Sequence, residues 1–398
     1  MAWLGYGREE FKKYIMERIY LDYAAATPLD KQVLEDMLPY LTAQYGNPSS
    51  LHYFGQQARA AVQRSREIVA KALAVKNQDI VFTAGGTEAD NLAILGYLRA
   101  NFPKGGHIIT TAIEHHAVLR TFEWLATQGY EVTFLPVQAD GRVDIQTVRA
   151  ACQKNTVLIS VMAVNNETGM IQPIKQIGML AHELGIAFHV DAVQAFGYIN
   201  IQPKRMHIDL LTICGHKIYG PKGIGVLYIR PGIQVHANSF GGPQEHRLHA
   251  GTENVPAIVG LGSAVKLVEA HRQEWAEHVF RLKKRIFQEF IVSTKNVRYN
   301  GTLENSAPHI MNFSMAECDS AVLLIRLDRA GIAVSAGSAC EAGAAQASHV
   351  LQAMGISSKW LKGSLRISLG KETTETEVDR FIAVMKDIAA VFDKGARI

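Results

Sequence analysis

The sequence predicts an α/β protein, with a large domain built on a mostly parallel sheet covered by helices and a second, smaller α+β domain. Three observations carry this. Between about residues 80 and 230, short apolar runs alternate with longer amphipathic ones, which is the pattern of repeated βαβ units. After Gly251 that alternation gives way to a long helical stretch followed by mixed elements. Finally, a chain of 398 residues exceeds the size at which a single hydrophobic core keeps growing, so a second domain is expected.

Taken in order, Ile80-Val-Phe-Thr, His107-Ile-Ile-Thr-Thr, Tyr130-Glu-Val-Thr-Phe-Leu, Val157-Leu-Ile-Ser-Val-Met, Ile186-Ala-Phe-His-Val and Leu210-Leu-Thr-Ile read as strands. They are near-continuous apolar runs, as expected of strands buried on both faces. Helical patterns fall between most of them, at 88–98, 117–127, 145–151 and 174–184. In the second domain a long helix is expected over 255–289, a strand over 310–314, a helix near 319–329 and a closing helix over 375–392. The large domain is assigned to 27–274 and the small one to 1–26 with 275–398. Residues 9–17 could form a short helix.

Composition narrows the function. The chain is 48% hydrophobic and 20% charged, which excludes a disordered protein. With 41 basic against 37 acidic residues its formal charge is +4, too weak and too scattered for nucleic acid. Four cysteines, at 152, 214, 318 and 340, form no Cys-x-x-Cys pair; disulfides and a zinc site are therefore not expected, and a reducing compartment is. Arg8, Glu9, Glu10, Lys12 and Lys13 stand where a signal peptide would be apolar, and no run is long enough to span a membrane. A cytoplasmic protein is expected.

In open parallel sheets, ligands bind at the C-terminal ends of the strands. Walking those ends gives Gly85-Gly86-Thr87-Glu88-Ala89-Asp90, then Glu114-His115-His116, Asn165-Asn166-Glu167-Thr168-Gly169, His189-Val-Asp191-Ala-Val-Gln194, and Cys214-Gly-His216-Lys217. Two glycines before a helix let backbone amides approach an anion, although alone they are more often a turn and a cap. An aspartate within an apolar run needs a cation against it. A lysine just past a strand can supply an amine. Together, an anion cup, a buried acid and an amine are what pyridoxal 5'-phosphate requires.

At these residues the chain resembles the cysteine desulfurases of the NifS/IscS type, class V aminotransferase-like enzymes of fold type I among the pyridoxal-phosphate enzymes. The resemblance runs from Tyr20-Leu-Asp-Tyr-Ala-Ala-Ala-Thr-Pro to about residue 390. Its specific pieces are Gly46-Asn-Pro-Ser-Ser, Gly85-Gly-Thr-Glu-Ala-Asp-Asn, Val164-Asn-Asn-Glu-Thr-Gly, His189-Val-Asp-Ala-Val-Gln, Gly215-His-Lys-Ile-Tyr-Gly-Pro-Lys-Gly, Ser335-Ala-Gly-Ser-Ala-Cys and Arg366-Ile-Ser-Leu-Gly.

The resemblance implies a seven-stranded, mostly parallel sheet. It implies that Lys217 forms the Schiff base, that Asp191 pairs with the pyridine nitrogen, and that His115 stacks on the ring and assists proton transfers. Gln194 would bond the ring hydroxyl, and Asn166 would touch both cofactor and substrate. Gly86, Thr87, His216 and the residue at Cys214 would hold the phosphate, with Thr252 reaching over from a second subunit of a homodimer. Arg366, Asn166 and Asn47 would bind the substrate, arginine offering a bidentate fork to its carboxylate. Cys340, in a Gly-, Ala- and Ser-rich loop over 335–348, would take sulfur from L-cysteine as a persulfide, release L-alanine, and pass the sulfur to an acceptor such as an iron–sulfur scaffold. An aminotransferase or a lyase for a selenium analogue would share the cofactor without this thiol chemistry.

Several residues depart from the family pattern. Cys214 stands where serine or threonine is usual, and a thiol is a weak donor. Arg247 and His249 stand where glycine and arginine are usual; in an extended segment a shift of two keeps a side chain on the same face, so Arg247 is expected to replace the missing arginine. Glu341 follows the nucleophile and should disfavour its thiolate, and Ala347 replaces a frequent proline. The short stretch from the last helix to Ile398 resembles NifS more than IscS.

Overall fold

The computed structural model describes residues 18–337 and 348–393; Cys340, Glu341, Ala347 and the segment 9–17 lie outside them. The chain divides into two compact units. One comprises 26–166 and 170–274, the other 1–25, 167–169 and 275–398. The division falls inside the helix Val255–Ile286.

The larger unit holds the strands β2 (Ile80–Thr83), β3 (His107–Thr111), β4 (Glu131–Leu135), β5 (Thr156–Ser160), β6 (Ala187–Asp191), β7 (Leu210–Cys214) and β8 (Gly225–Ile229), which follow β1 (Ile19–Tyr20) of the smaller unit. They form one sheet in the order β2-β8-β7-β6-β5-β3-β4. The pairs from β7 through β4 are parallel, while β8 runs antiparallel to both β7 and β2. Thus β2, β3, β5, β6 and β7 all end on the same edge. Every residue of β2, β3, β6 and β7 is buried, as near-continuous apolar strands require.

The predicted helices form for identifiable local reasons. Asp144 caps Ile145–Ala151, accepting from Thr147 N at 3.0 Å, and Ile174–Leu184 ends at Gly185, whose φ of 68° is the left-handed cap favoured at helix ends. The expected helix over 88–98 is a longer helical run. It begins as Gly86–Asn91, passes through a π-helical segment, Leu92–Gly96, and continues as Tyr97–Asn101. A Cβ on Gly96 would lie 2.5 Å from His236 O, so only glycine admits that segment. This run and the helix His116–Thr127 contribute Leu92, Leu98, Val118 and Phe122 to a core cluster with Ile108, Leu158, Leu210 and Leu227 of the sheet.

The smaller unit contains an antiparallel sheet in the order β12 (Ser364–Ser368), β10 (Ile310–Met315), β9 (Val297–Tyr299), and a parallel pair of β1 with β11 (Ile332–Ala333). The helix Ser320–Arg329 is capped by Asp319, which accepts from Ala321 N. The closing helix is Glu375–Asp393.

Candidate active site

The ends of β2, β5, β6 and β7 converge on one group of side chains. After β2 the chain turns at Gly85, with φ 155° and ψ 179°, a region essentially restricted to glycine. The helical run begins at Gly86, and Thr83 Oγ1 donates to Gly85 O at 3.0 Å. A Cβ on Gly86 would lie 3.0 Å from Val193 Cγ2 and 3.6 Å from Cys214 Cβ. The glycine therefore permits the turns after β6 and β7 to close on the helix start, leaving amides and no side chain at that point.

Asp191 ends β6 and is 7% exposed. Its Oδ1 accepts from Val193 N at 2.9 Å, and no ion pair reaches it among the described residues. Burial, and then the neighbouring Asp90 carboxyl, push its pKa up to about 7. This is the buried acid awaiting a cation that the sequence predicts. Gln194, three residues on, is also buried.

Past β7 the chain makes a tight turn, Gly215–Lys217, which carries Lys217. Backbone bonds hold it: Ile218 N and Gly220 N both donate to Gly215 O at 3.0 Å. Thr27 secures the far side, its N donating to His216 O at 2.9 Å and its Oγ1 accepting from Tyr219 N at 2.7 Å. Tyr219 there has φ 65°, costly for a bulky residue. Thr27 was not predicted as a site residue; its only sequence signal is its place in the stretch that begins at Tyr20.

Cys214 Sγ lies 2.9 Å from His216 Nδ1 and bonds the Gly86 backbone. Burial raises the thiol pKa. His216 is driven down to about 4, first by burial and then by the charges of Lys217 and Lys222, so its ring is neutral. His115 caps the helix His116–Thr127, its Nδ1 accepting from Ala117 N at 3.2 Å, which leaves the proton on Nε2. Asn166 is buried after β5.

Asn47 is exposed and its Oδ1 accepts from Ser49 N within its own turn. Thr252 is exposed. Arg366 belongs to the smaller unit, where its Nη2 donates to Asp22 Oδ1 at 2.8 Å and Asp22 Oδ2 also accepts from Ser335 Oγ.

One expectation is overturned. The segment at Arg247 is not extended: Glu245, His246 and Arg247 have φ of 45°, 59° and 67°, a left-handed turn in which a two-residue alternation of faces does not hold. Glu245 causes this by burying its carboxylate against the Arg66 guanidinium and Phe82 N. Arg247 is exposed, and His249 is the basic residue that meets the helix start, its Nδ1 lying 2.8 Å from Glu88 Oε1. Glu88 in turn accepts from Ala84 N at 2.6 Å.

The His249–Glu88 pair titrates. Pairing raises the His249 pKa and lowers that of Glu88. The histidine's contribution is full below its unfolded pKa and is lost as pH rises through its higher folded one; the carboxylate's is lost only as pH falls through its lowered value. Arginine keeps its charge across this range. His249→Arg is therefore expected to raise Tm relative to the parent at about pH 8.5 and to leave it unchanged near about pH 5.5, measured by melting curves. An equal effect at both values would refute the titrating pair.

Residues 19–381 match the family described as aminotransferase class-V. The chain is 43% identical over 370 residues to a cysteine desulfurase IscS of Dictyoglomus turgidum, covering 93% of this chain and 94% of that one. Among solved structures, a NifS-like protein aligns with a TM-score of 0.88 at 34% identity, over 94% of this chain and 99% of that one. A structure described as SspA in complex with cysteine aligns with a TM-score of 0.79 at 38% identity, over 89% and 100% of the two chains.

Proposed function

Because the chain belongs to the class V aminotransferase family and groups there with the IscS- and NifS-like cysteine desulfurases, we propose that it takes sulfur from L-cysteine, releases L-alanine and carries the sulfur as a persulfide on Cys340. The observation that carries this reading is Asp191: a carboxyl 7% exposed, without an ion-pair partner among the described residues, beside a glycine cup and a lysine-bearing turn. A buried acid of this kind fits a cationic ring nitrogen, and the donor set around it fits pyridoxal 5'-phosphate.

Gly86, Thr87, His216 and Cys214 would hold the phosphate, Thr252 would reach the site of a second subunit, and Gln194 would bond the ring hydroxyl. A cofactor held there would supply an electron sink that weakens the bonds at the substrate Cα. Lys217 supplies the amine that anchors the cofactor and, once freed, takes the α-proton. His115 presents its Nε2 proton for exchange near the ring. Asn166, Asn47 and Arg366 hold the substrate carboxylate, with Asp22 orienting the guanidinium of Arg366. The Cys340 thiolate attacks the substrate sulfur: the new S–S bond forms as the C–S bond breaks, and the carbon keeps that electron pair.

The persulfide then passes to an acceptor such as an iron–sulfur scaffold in a reducing, cytoplasmic setting; no helix among the described residues is long and apolar enough to cross a membrane. Incubation with L-cysteine and a reductant, measuring alanine and sulfide together, tests the reading; alanine without stoichiometric sulfide or persulfide would overturn it.

The cup also makes a prediction about cofactor affinity. Sulfur is a poor donor to a phosphate oxygen, whereas a hydroxyl at the same Cβ makes one ordinary bond to a charged group. Cys214→Ser is expected to tighten cofactor binding by about threefold to tenfold, the equivalent of roughly 1 kcal/mol for one improved hydrogen bond. An unchanged dissociation constant in an absorbance titration would show that Cys214 does not face the phosphate.

A further inference from the structure

Behind Asp191 lies a second buried acid that the proposed reaction does not use. Asp90 sits on the helix that begins at Gly86, three residues past Thr87, and is 1% exposed. Its side chain bonds that of Thr212, while Oδ1 has no hydrogen-bond partner and lies 3.5 Å from His189 Nε2. His189 is wholly buried on β6, two residues before Asp191 and so on the same face of the strand. Its Nδ1 is 2.8 Å from Ser160 Oγ and its Nε2 is 3.2 Å from Thr212 Oγ1. Thr212 pairs in register with Asp191 across β6 and β7, and its Cγ2 lies 3.9 Å from where a Cβ on Gly86 would stand.

We propose that Asp90 is a positioning residue for Asp191: through Thr212 and His189 it fixes the helix bearing the anion cup to the strand bearing the ring-nitrogen partner, and as a second buried carboxyl it governs how readily Asp191 ionises. This rests on the pyridoxal-phosphate reading given above.

The electrostatics follow from burial. His189 is driven down to about 4 by burial, so its ring is neutral and the contact with Asp90 is not an ion pair. Asp90 is pushed up to about 7, burial outweighing the Thr212 bond. The groups that interact with this pair are Glu114, itself pushed up to about 8 by burial, His189, Cys214 and Lys217; of these only Lys217 carries positive charge. Two negative charges close together in a dry site cannot both form easily, so a charge on Asp90 holds the proton on Asp191 to higher pH. A cation placed against Asp191 reverses that balance. The cofactor's ring and phosphate are thus gripped by elements that share one buried polar network.

The test is cofactor affinity against pH. Apo-protein is titrated with pyridoxal 5'-phosphate and the visible band recorded, for the parent chain, Asp90→Asn and Thr212→Val. Asparagine keeps the shape and cannot carry charge; valine keeps the shape of threonine and removes the bond that favours the Asp90 anion. The free cofactor's own titration is common to all three and cancels in the comparison. Both substitutions are expected to move the midpoint of the affinity profile to lower pH, by roughly one unit for Asp90→Asn and less for Thr212→Val. Midpoints coinciding with the parent's in both variants overturn the proposal, and if Asp90→Asn fails to fold, Thr212→Val decides alone. A parent protein that forms no visible band overturns the cofactor reading instead, and the proposal with it.

Discussion

Lys217→Ala is expected to leave a folded protein that turns over L-cysteine slower by a factor on the order of 10⁴, the upper range for losing a positioned acid–base group. The fold should survive because the turn that presents Lys217 is held without its side chain: Ile218 N and Gly220 N bond Gly215 O, and Thr27 bonds His216 O and Tyr219 N. The site should nevertheless change electrically. The Lys217 charge favours the Asp191 carboxylate, so its loss leaves the acid more strongly protonated and less able to hold a cationic ring. Weakened cofactor binding is therefore expected alongside the lost turnover. Borohydride reduction followed by mass measurement should add one cofactor to the parent chain and none to the variant. A variant that still retains a reducible adduct would place the amine on another lysine, and a collapse of Tm would show that the side chain is structural.

That turn also shows what sequence reading can and cannot reach. The apolar runs of β2 to β7 are local signals, and the strands they predict form at or near those positions. Strand β8, Gly225-Val-Leu-Tyr-Ile, is not among the predicted strands, because Pro221 and Gly223 just before it carry the stronger local signal. The small strands β9 and β11 are three and two residues long, too short for periodicity to declare.

At the site, strand ends were readable because topology alone sends them to one edge. Partners that arrive from far along the chain were not. Glu245 meets Arg66 across 179 positions, and it is this burial that bends the segment and exposes Arg247. Asp90, Glu114 and His189 lie in motifs that were read, yet only packing reveals that each is a buried acid or base against neutral hydroxyls. The role of Thr27, likewise, depends on a turn 192 positions away.

Cys340→Ser is expected to abolish persulfide formation and sulfide release, a loss on the order of 10⁴ to 10⁶ as for other removed nucleophiles, while the cofactor's visible band persists. A sulfur acceptor must be a thiolate. Burial raises the pKa of half-buried Cys152, of Cys214 despite the nearby Lys217 charge, and of Cys318, which is pushed up to about 11. None of the three is suited to replace a missing nucleophile. The cup, Asp191 and the Lys217 turn are built from residues of the larger unit without Cys340, so the cofactor should bind the variant as it binds the parent. Alkylation of persulfide after a short exposure to L-cysteine, followed by peptide mapping, should label Cys340 alone in the parent and nothing in the variant. A label on Cys214 would mean that the thiol beside Gly86 is more nucleophilic than its burial allows. Unimpaired alanine formation in Cys340→Ser would instead mark an enzyme that shares the family's cofactor chemistry without the sulfur transfer.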